Sequence, residues 1–177
     1  MSNLFSNFQE NFPDDLDSQF LVTSKGRQVS YLELNDASAR IANCLFESGA
    51  SPGDRITVQV EKSVESIFLY LACLRSGLVY HPLNTAYKSS ELSFFIENAE
   101  PTIVVCSTEA IDIYKSIASK EGIKALLTLD SDGSGTLMQE AARYSSNCET
   151  KQWKGSETAA LLYSSGTTGQ PKGIVLS

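Results

Sequence analysis

Between Ala159 and Ser177 the sequence reads A-A-L-L-Y-S-S-G-T-T-G-Q-P-K-G-I-V-L-S, and its middle has the makings of an anion-binding loop. Ser164 to Gly173 holds four hydroxyls (Ser164, Ser165, Thr167, Thr168), three glycines (Gly166, Gly169, Gly173) and one lysine, Lys172. Glycines reach positive φ and let backbone amides approach an anion with no Cβ in the way. Successive amides in such a turn form a nest, hydroxyls add rotatable donors, and a lysine supplies a compact positive charge. The ligand chemistry this suits is a polyphosphate. A Walker A loop is excluded by position: counted from Gly166, it needs glycine at 171 and a hydroxyl at 173, where the chain has Pro171 and Gly173. A Walker loop also opens a helix, whereas Ile174-Val175-Leu176 reads as a strand. Composition alone leaves a second reading open, a hairpin loop with one exposed lysine.

The other residue types capable of chemistry are sparse. Cys44, Cys73, Cys106 and Cys148 lie 29, 33 and 42 residues apart, and His81 is the one histidine. Zinc sites need close ligand pairs, and secreted disulfide scaffolds are denser, so the spacing points to neither. The cysteines read as structural; Cys44, Cys73 and Cys106 sit inside apolar patterns, where a thiol behaves as a small hydrophobe. His81, between Tyr80 and Pro82, reads as a packing or hydrogen-bonding residue, because no triad partner is evident. The G-S-G within D-S-D-G-S-G at Asp130 to Gly135 lacks the third glycine of a dinucleotide fingerprint and reads as a turn.

The elements that must position the loop follow from periodicity. Ser30 and Glu33 have capping-box spacing, and Leu34, Ala37, Ile41, Cys44 and Leu45 recur on one helical face up to Gly49, a left-handed stop. Ser51 to Asp54 is a turn before a strand carrying Ile56, Val58 and Val60. Ser63 caps a helix with Glu65 in its first turn. Ile67 to Leu74 is apolar nearly all round and predicts burial, while Arg75 and Gly77 mark the end. Strand Leu78 to Tyr80, helix Ser90 to Asn98, strand Thr102 to Cys106, a helix from about Glu109 to Lys120 and strand Lys124 to Leu129 follow. A short helix over Leu137 to Tyr144 precedes a polar linker. Strand–helix–strand units in series predict an α/β fold, a mostly parallel sheet flanked by helices.

Composition sets limits on partners. The chain has 177 residues, 42% of them hydrophobic, which is enough for a core. A net charge of −7 lacks the basic excess that phosphate-neutralising nucleic-acid binding needs. The apolar run Ile67 to Leu74 is eight residues, far short of the about 20 a bilayer span requires. Glu10, Asp14, Asp15 and Asp17 precede any Lys or Arg, the wrong charge for a targeting segment, and a cytoplasmic location is expected.

The string Y-S-S-G-T-T-G-Q-P-K-G at Tyr163 to Gly173 resembles the phosphate-loop signature of the adenylate-forming (AMP-binding) enzymes, among them acyl-CoA synthetases, peptide-synthetase adenylation domains and luciferases. Ser164 stands where many members carry threonine, and the hydroxyl is kept. V-S-Y-L-E-L at Val29 to Leu34, Leu74-Arg75-Ser76-Gly77 and Tyr80-His81-Pro82-Leu83 resemble segments of the N-terminal part of the same family, so the likeness covers nearly the whole chain. V-Q-V-E-K-S at Val58 to Ser63, Y-L-A-C-L-R-S-G at Tyr70 to Gly77, P-L-N-T-A-Y at Pro82 to Tyr87 and N-A-E-P at Asn98 to Pro101 are similar to bacterial malonyl-CoA synthetases. His81 departs from the apolar residue expected there.

The resemblance implies a two-step reaction. A carboxylate attacks the α-phosphorus of MgATP to give an acyl-adenylate and pyrophosphate; coenzyme A then displaces AMP to give the thioester. It further implies that Ser164, Ser165, Gly166, Thr167, Thr168 and Gly169 wrap the β- and γ-phosphates, with Lys172 adding charge. Preoriented donors of this kind stabilise charge moving onto pyrophosphate, and the glycines let the loop close and reopen. The implied cofactors are ATP and Mg2+, with coenzyme A as co-substrate. The implied partner is a small carboxylate, malonate by the subfamily likeness.

On this reading the chain is the N-terminal portion of the large domain. Residues 1–28 form an arm, 29–144 an α/β subdomain, 145–158 a linker and 159–177 a strand–phosphate loop–strand unit. The adenine-binding segments, acyl pocket, magnesium-binding acid and C-terminal domain lie elsewhere, and the chain alone is expected to be inactive. No residue here is assigned as catalytic or as a metal ligand. Three alternatives remain open: another acyl-CoA synthetase such as a fatty-acid–CoA ligase, a free-standing nucleotide- or phosphate-binding module, and a non-catalytic α/β piece. Self-association through an exposed sheet edge or apolar patch is also expected.

Overall fold

The computed structural model describes residues 3–164 and 171–177, and of residues 119–121 the backbone alone. The expected N-terminal arm is built structure. It comprises α1 (Leu4–Gln9) and an antiparallel pair, β1 (Gln19–Val22) and β2 (Gln28–Ser30). The Asn3 side chain caps α1 by accepting from the Phe5 amide, and its Nδ2 donates to the carbonyls of Leu74 (2.8 Å) and Lys151 (2.9 Å). Phe5 is fully buried, so α1 is pinned by long-range contacts that its own six residues would not sustain.

Helix α2 (Tyr31–Glu47) starts at Ser30, whose Oγ accepts from the Glu33 amide at 3.1 Å. The second half of the expected capping box is absent. Glu33 instead pairs with Arg27 at 2.7 Å, and the same guanidinium holds the buried Glu65 at 2.6 Å. A charge-assisted bond to Arg27 outcompetes a neutral one to the cap amide. The chain turns at Gly49 (φ +99°) into β3 (Arg55–Gln59). Helix α3 (Val64–Ser76) has a reciprocal cap, Ser63 and Ser66 each taking the other's amide, and ends on left-handed Gly77. The remaining elements are β4 (Val79–Pro82), α4 (Ser89–Ala99), β5 (Ile103–Cys106), a 3-10 turn at Thr108–Ala110 leading into α5 (Ile111–Glu121), β6 (Ala125–Thr128), α6 (Thr136–Ala141), β7 (Ala160–Ser164) and β8 (Lys172–Leu176).

The six-stranded sheet runs β6-β5-β3-β4-β7-β8, parallel from β6 to β7, with β8 antiparallel to β7. The path therefore steps from β3 to β4 in one direction, then back across β3 to β5. Right-handed crossovers put the helices of such opposed steps on opposite faces. Accordingly α3 packs with α2, α1 and α6 on one face, over Ile56, Val58, Ile103 and Val105, while α4 and α5 cover Val104 and Cys106 on the other. From Ile56 to Gln59 strand β3 is buried on both faces, so its alternation Ile56/Val58 against Thr57/Gln59 sorts two cores rather than core from solvent. Among the described residues no helix is long and apolar enough to cross a membrane.

The 145–158 stretch is not a free linker but a strap bound to the body. Asn43 Nδ2 donates to the carbonyls of Ser145 and Asn147, and Lys151 donates to the Arg75 carbonyl. Arg75, expected merely to end α3, is 3% exposed. Its guanidinium donates to Asn35 O (2.8 Å), Ser38 Oγ (2.9 Å) and Cys148 O (3.0 Å), and stands 4.5 Å over the Phe5 ring. It thus joins α1, α2 and the strap, and burial pulls its pKa down. Beyond the strap, β8 forms one edge of the sheet, with Val175 63% exposed between Ile174 and Leu176.

Candidate phosphate-binding site

Because β7 runs parallel to β4, the loop that follows it emerges at the carboxyl edge of the sheet, where α/β folds place their ligands. The two strands flanking the loop are those the apolar runs predicted. Their register sets Ser164 opposite Lys172 and Tyr163 opposite Gly173. A hydroxyl and an ammonium therefore face each other across the mouth of the loop, both exposed. Ser165, Gly166, Thr167, Thr168 and Gly169, the other predicted contacts, lie outside the described residues. Among the described residues no group of three His, Cys, Asp or Glu could hold a metal ion.

The floor under this edge is polar and aromatic. Thr57 and His81 are register partners on adjacent strands, and Thr57 Oγ1 lies 2.8 Å from His81 Nδ1. His81 is wholly buried, and among the described residues its Nε2 has no hydrogen-bond partner. A buried N–H without an acceptor costs more than a bare lone pair, which favours Nδ1–H donating to Thr57. Burial first, then the charge of Arg55, lowers the His81 pKa to about 4. Beside Thr57, Gln59 accepts from the Tyr114 hydroxyl (3.0 Å) and donates to the Asn84 carbonyl (2.8 Å). Tyr163, the last residue before the predicted loop, lies 5.5 Å from His81 and 4.8 Å from Phe95, and its hydroxyl donates to Asn98 Oδ1 on α4. Sequence reasoning correctly gave His81 a packing and hydrogen-bonding place, but missed its partner Thr57 and the Tyr163–Asn98 contact. Both join residues distant in sequence, and the pairing of β3 with β4 was the signal that could have found the first.

His81 makes acid a destabiliser. An unfolded histidine titrates near 6.5; the folded one resists protonation down to about 4. Its contribution is intact above the unfolded pKa and is lost as pH falls from about 6.5 toward 4, by about 3 kcal/mol over that window. His81→Val is expected to flatten this part of the stability–pH curve, as read from urea midpoints between pH 4 and 7. An unchanged slope would remove His81 as its origin.

The cysteines are all free. Burial pushes the thiols of Cys44, Cys73 and Cys106 up, keeping them protonated and poor nucleophiles.

Comparison with known proteins agrees with this architecture. The solved structure of ATP-bound MatB from Rhodopseudomonas palustris superposes with a TM-score of 0.93 at 44% identity, over 99% of this chain and 34% of that one. Crotonobetaine/carnitine–CoA ligase from Salmonella paratyphi B is 29% identical over 160 residues, 85% of this chain and 31% of the relative. Tyrocidine synthase 1 from Brevibacillus parabrevis is 28% identical over 173 residues, 98% of this chain and 15% of the relative. The chain thus spans about a third or less of these proteins. The model of the AMP-binding enzyme family matches residues 8–177. With its mostly parallel six-stranded sheet as expected, the chain belongs to the AMP-binding, adenylate-forming enzyme family.

Proposed function

We propose that this chain is the ATP-phosphate-binding N-terminal portion of a carboxylate–CoA ligase that forms an acyl-adenylate and then an acyl-CoA, with malonate as the acid. The observation that carries the reading is the hairpin itself: Ser164 and Lys172 face each other at the carboxyl edge of a parallel sheet, at the two ends of a Gly/Ser/Thr loop. Lys172 lies near charge that grows on the departing pyrophosphate, and Ser164 donates beside it. Ser165, Gly166, Thr167, Thr168 and Gly169 complete the phosphate contacts in this proposal, and magnesium and coenzyme A are used by the whole protein. The identity of 43–44% to MatB and the resemblance to malonyl-CoA synthetases support malonate over longer acids. The subdivision at 28, 144 and 158, a cytoplasmic location, inactivity of the 177 residues alone and their self-association through the β8 edge are parts of the same proposal.

The test is AMP release from ATP and coenzyme A with malonate, methylmalonate, acetate and octanoate, for this chain and for the full-length protein side by side. Malonate-dependent AMP from the full-length protein alone is the expected result. Octanoate preference would reassign the acid to a fatty acid, and no AMP with any acid would return the chain to a binding module. Lys172→Ala is expected to lower kcat/KM for adenylation about 10- to 150-fold, the worth of one charged hydrogen bond to phosphate. Unchanged kinetics would take Lys172 out of the mechanism.

A further inference from the structure

Strand β7 is laddered to β4 only at its start, because Pro82, two residues after Tyr80 on β4, has no amide with which to continue the pairing. Its register with β4 is the Tyr80/Ala160 position, where the Tyr80 amide donates to the Ala159 carbonyl at 3.0 Å. From there to Ser164 is about 13 Å of extended chain. Over that length the backbone partner among the described residues is β8, which is itself the sheet edge. A two-stranded hairpin held at one end is marginal by itself. Something else must fix the end that carries Ser164 and Lys172.

Tyr163 occupies that place. Its hydroxyl donates to Asn98 Oδ1, and its ring packs 4.8 Å from Phe95 and 6.5 Å from Phe94, all on α4. The same ring covers the second leg of the hairpin: a Cβ on Gly173 would sit 3.7 Å from it. One side chain, on the residue before Ser164, thus lies against the residue after Lys172 and binds the hairpin to a helix. Partial burial raises the phenol pKa and keeps it a donor.

We propose that Tyr163 and Asn98 are positioning residues that fix where Ser164 and Lys172 stand and thereby set affinity for the phosphates of ATP. The inference rests on the functional reading above, and two readouts on the full-length protein separate them: acid-dependent ATP–pyrophosphate exchange and amide hydrogen exchange. Tyr163→Phe and Asn98→Ala are each expected to raise KM for ATP about three- to tenfold, the range of one hydrogen bond, with kcat changed less than about twofold. The double variant is expected to be no worse than either single one, because both remove the same bond. Amides at 161–164 and 172–175 exchange severalfold faster in each variant. Unchanged KM, additive effects or unchanged amide protection would overturn the proposal. If the wild-type protein shows no pyrophosphate exchange with any acid, the ligase reading falls. Amide protection then decides the tether: faster exchange supports it and unchanged exchange removes it.

Discussion

Gly135→Ala is expected to destabilise the chain by about 3–5 kcal/mol, lowering the melting temperature by about 10 °C. Gly135 sits at φ +131°, where side chains are rarely accommodated, and a Cβ there would lie 2.2 Å from the Thr128 carbonyl oxygen and 2.6 Å from its carbon. Those atoms are backbone of β6 and cannot swing aside. The approach is that close because Thr128 and Thr136 clasp each other: each amide donates to the other's hydroxyl at 2.9 Å. Relieving the clash would open this clasp and unseat α6, whose Leu137 is fully buried. Gly155, with no neighbour within 4 Å of its Cβ position, provides the control, and Gly155→Ala should be near neutral. Urea unfolding of the two variants in parallel checks both; equal midpoints would show that the loop relaxes freely.

Arg75→Ala should cost a similar amount, about 3–5 kcal/mol, by a different route. Among the described residues the guanidinium has no carboxylate in ion-pair contact; its two terminal nitrogens donate to Asn35 O, Ser38 Oγ and Cys148 O, and its buried Nε has no partner. Truncation strips a donor from each of three acceptors, at about 1–3 kcal/mol for any that stays buried and dry. It also removes the packing over Phe5. Arg75→Met keeps the stem and should lose less than alanine. Arg75→Lys keeps the charge but not the planar fork that reaches both α2 and the strap, and should fall between wild type and alanine. The strap gives the specific readout, with the Lys151 amide, bonded to the Arg75 carbonyl, expected to lose hydrogen-exchange protection first. A loss of stability with strap protection intact would refute the clamp.

These two residues mark the limits of sequence reading. Helices α2 and α3 were legible because Ser30, Ser63, Gly49 and Gly77 punctuate strong periodicities, and the flanks of the phosphate loop because apolar runs stop abruptly at Tyr163 and resume at Ile174. Local signals of this kind survive in one dimension. Helix α1 was not legible: it has six residues, and its anchors Leu74 and Lys151 are 71 and 148 positions from Asn3. Arg75 looked like a helix-end cation complementing a dipole, and its burial depends on carbonyls that only folding brings together. The strap read as a linker for the same reason, since Asn, Ser and Lys look equally polar whether water or a guanidinium satisfies their backbone. For the candidate site, the residue types suggested a phosphate chemistry, whereas its footing on Asn98, Phe95 and His81 required knowing which strand lies beside which.

The place of β3 between β4 and β5 bears on the order in which the molecule assembles. Residues 55–59 are the template for both 79–82 and 103–106, so this strand alone joins the β4 side of the sheet to the β5 side. Pairings β3–β4 and β3–β5 close chain segments of modest length, and α2 and α3 bury the first of them as it forms. The β7–β8 hairpin closes a far longer loop onto β4, with one ladder position there and the Tyr163 contacts to α4 to hold it. It should therefore join last during folding and detach first in native fluctuations. The protein would then carry the residues proposed to hold phosphate on the segment that is cheapest to move, while the central strands remain fixed.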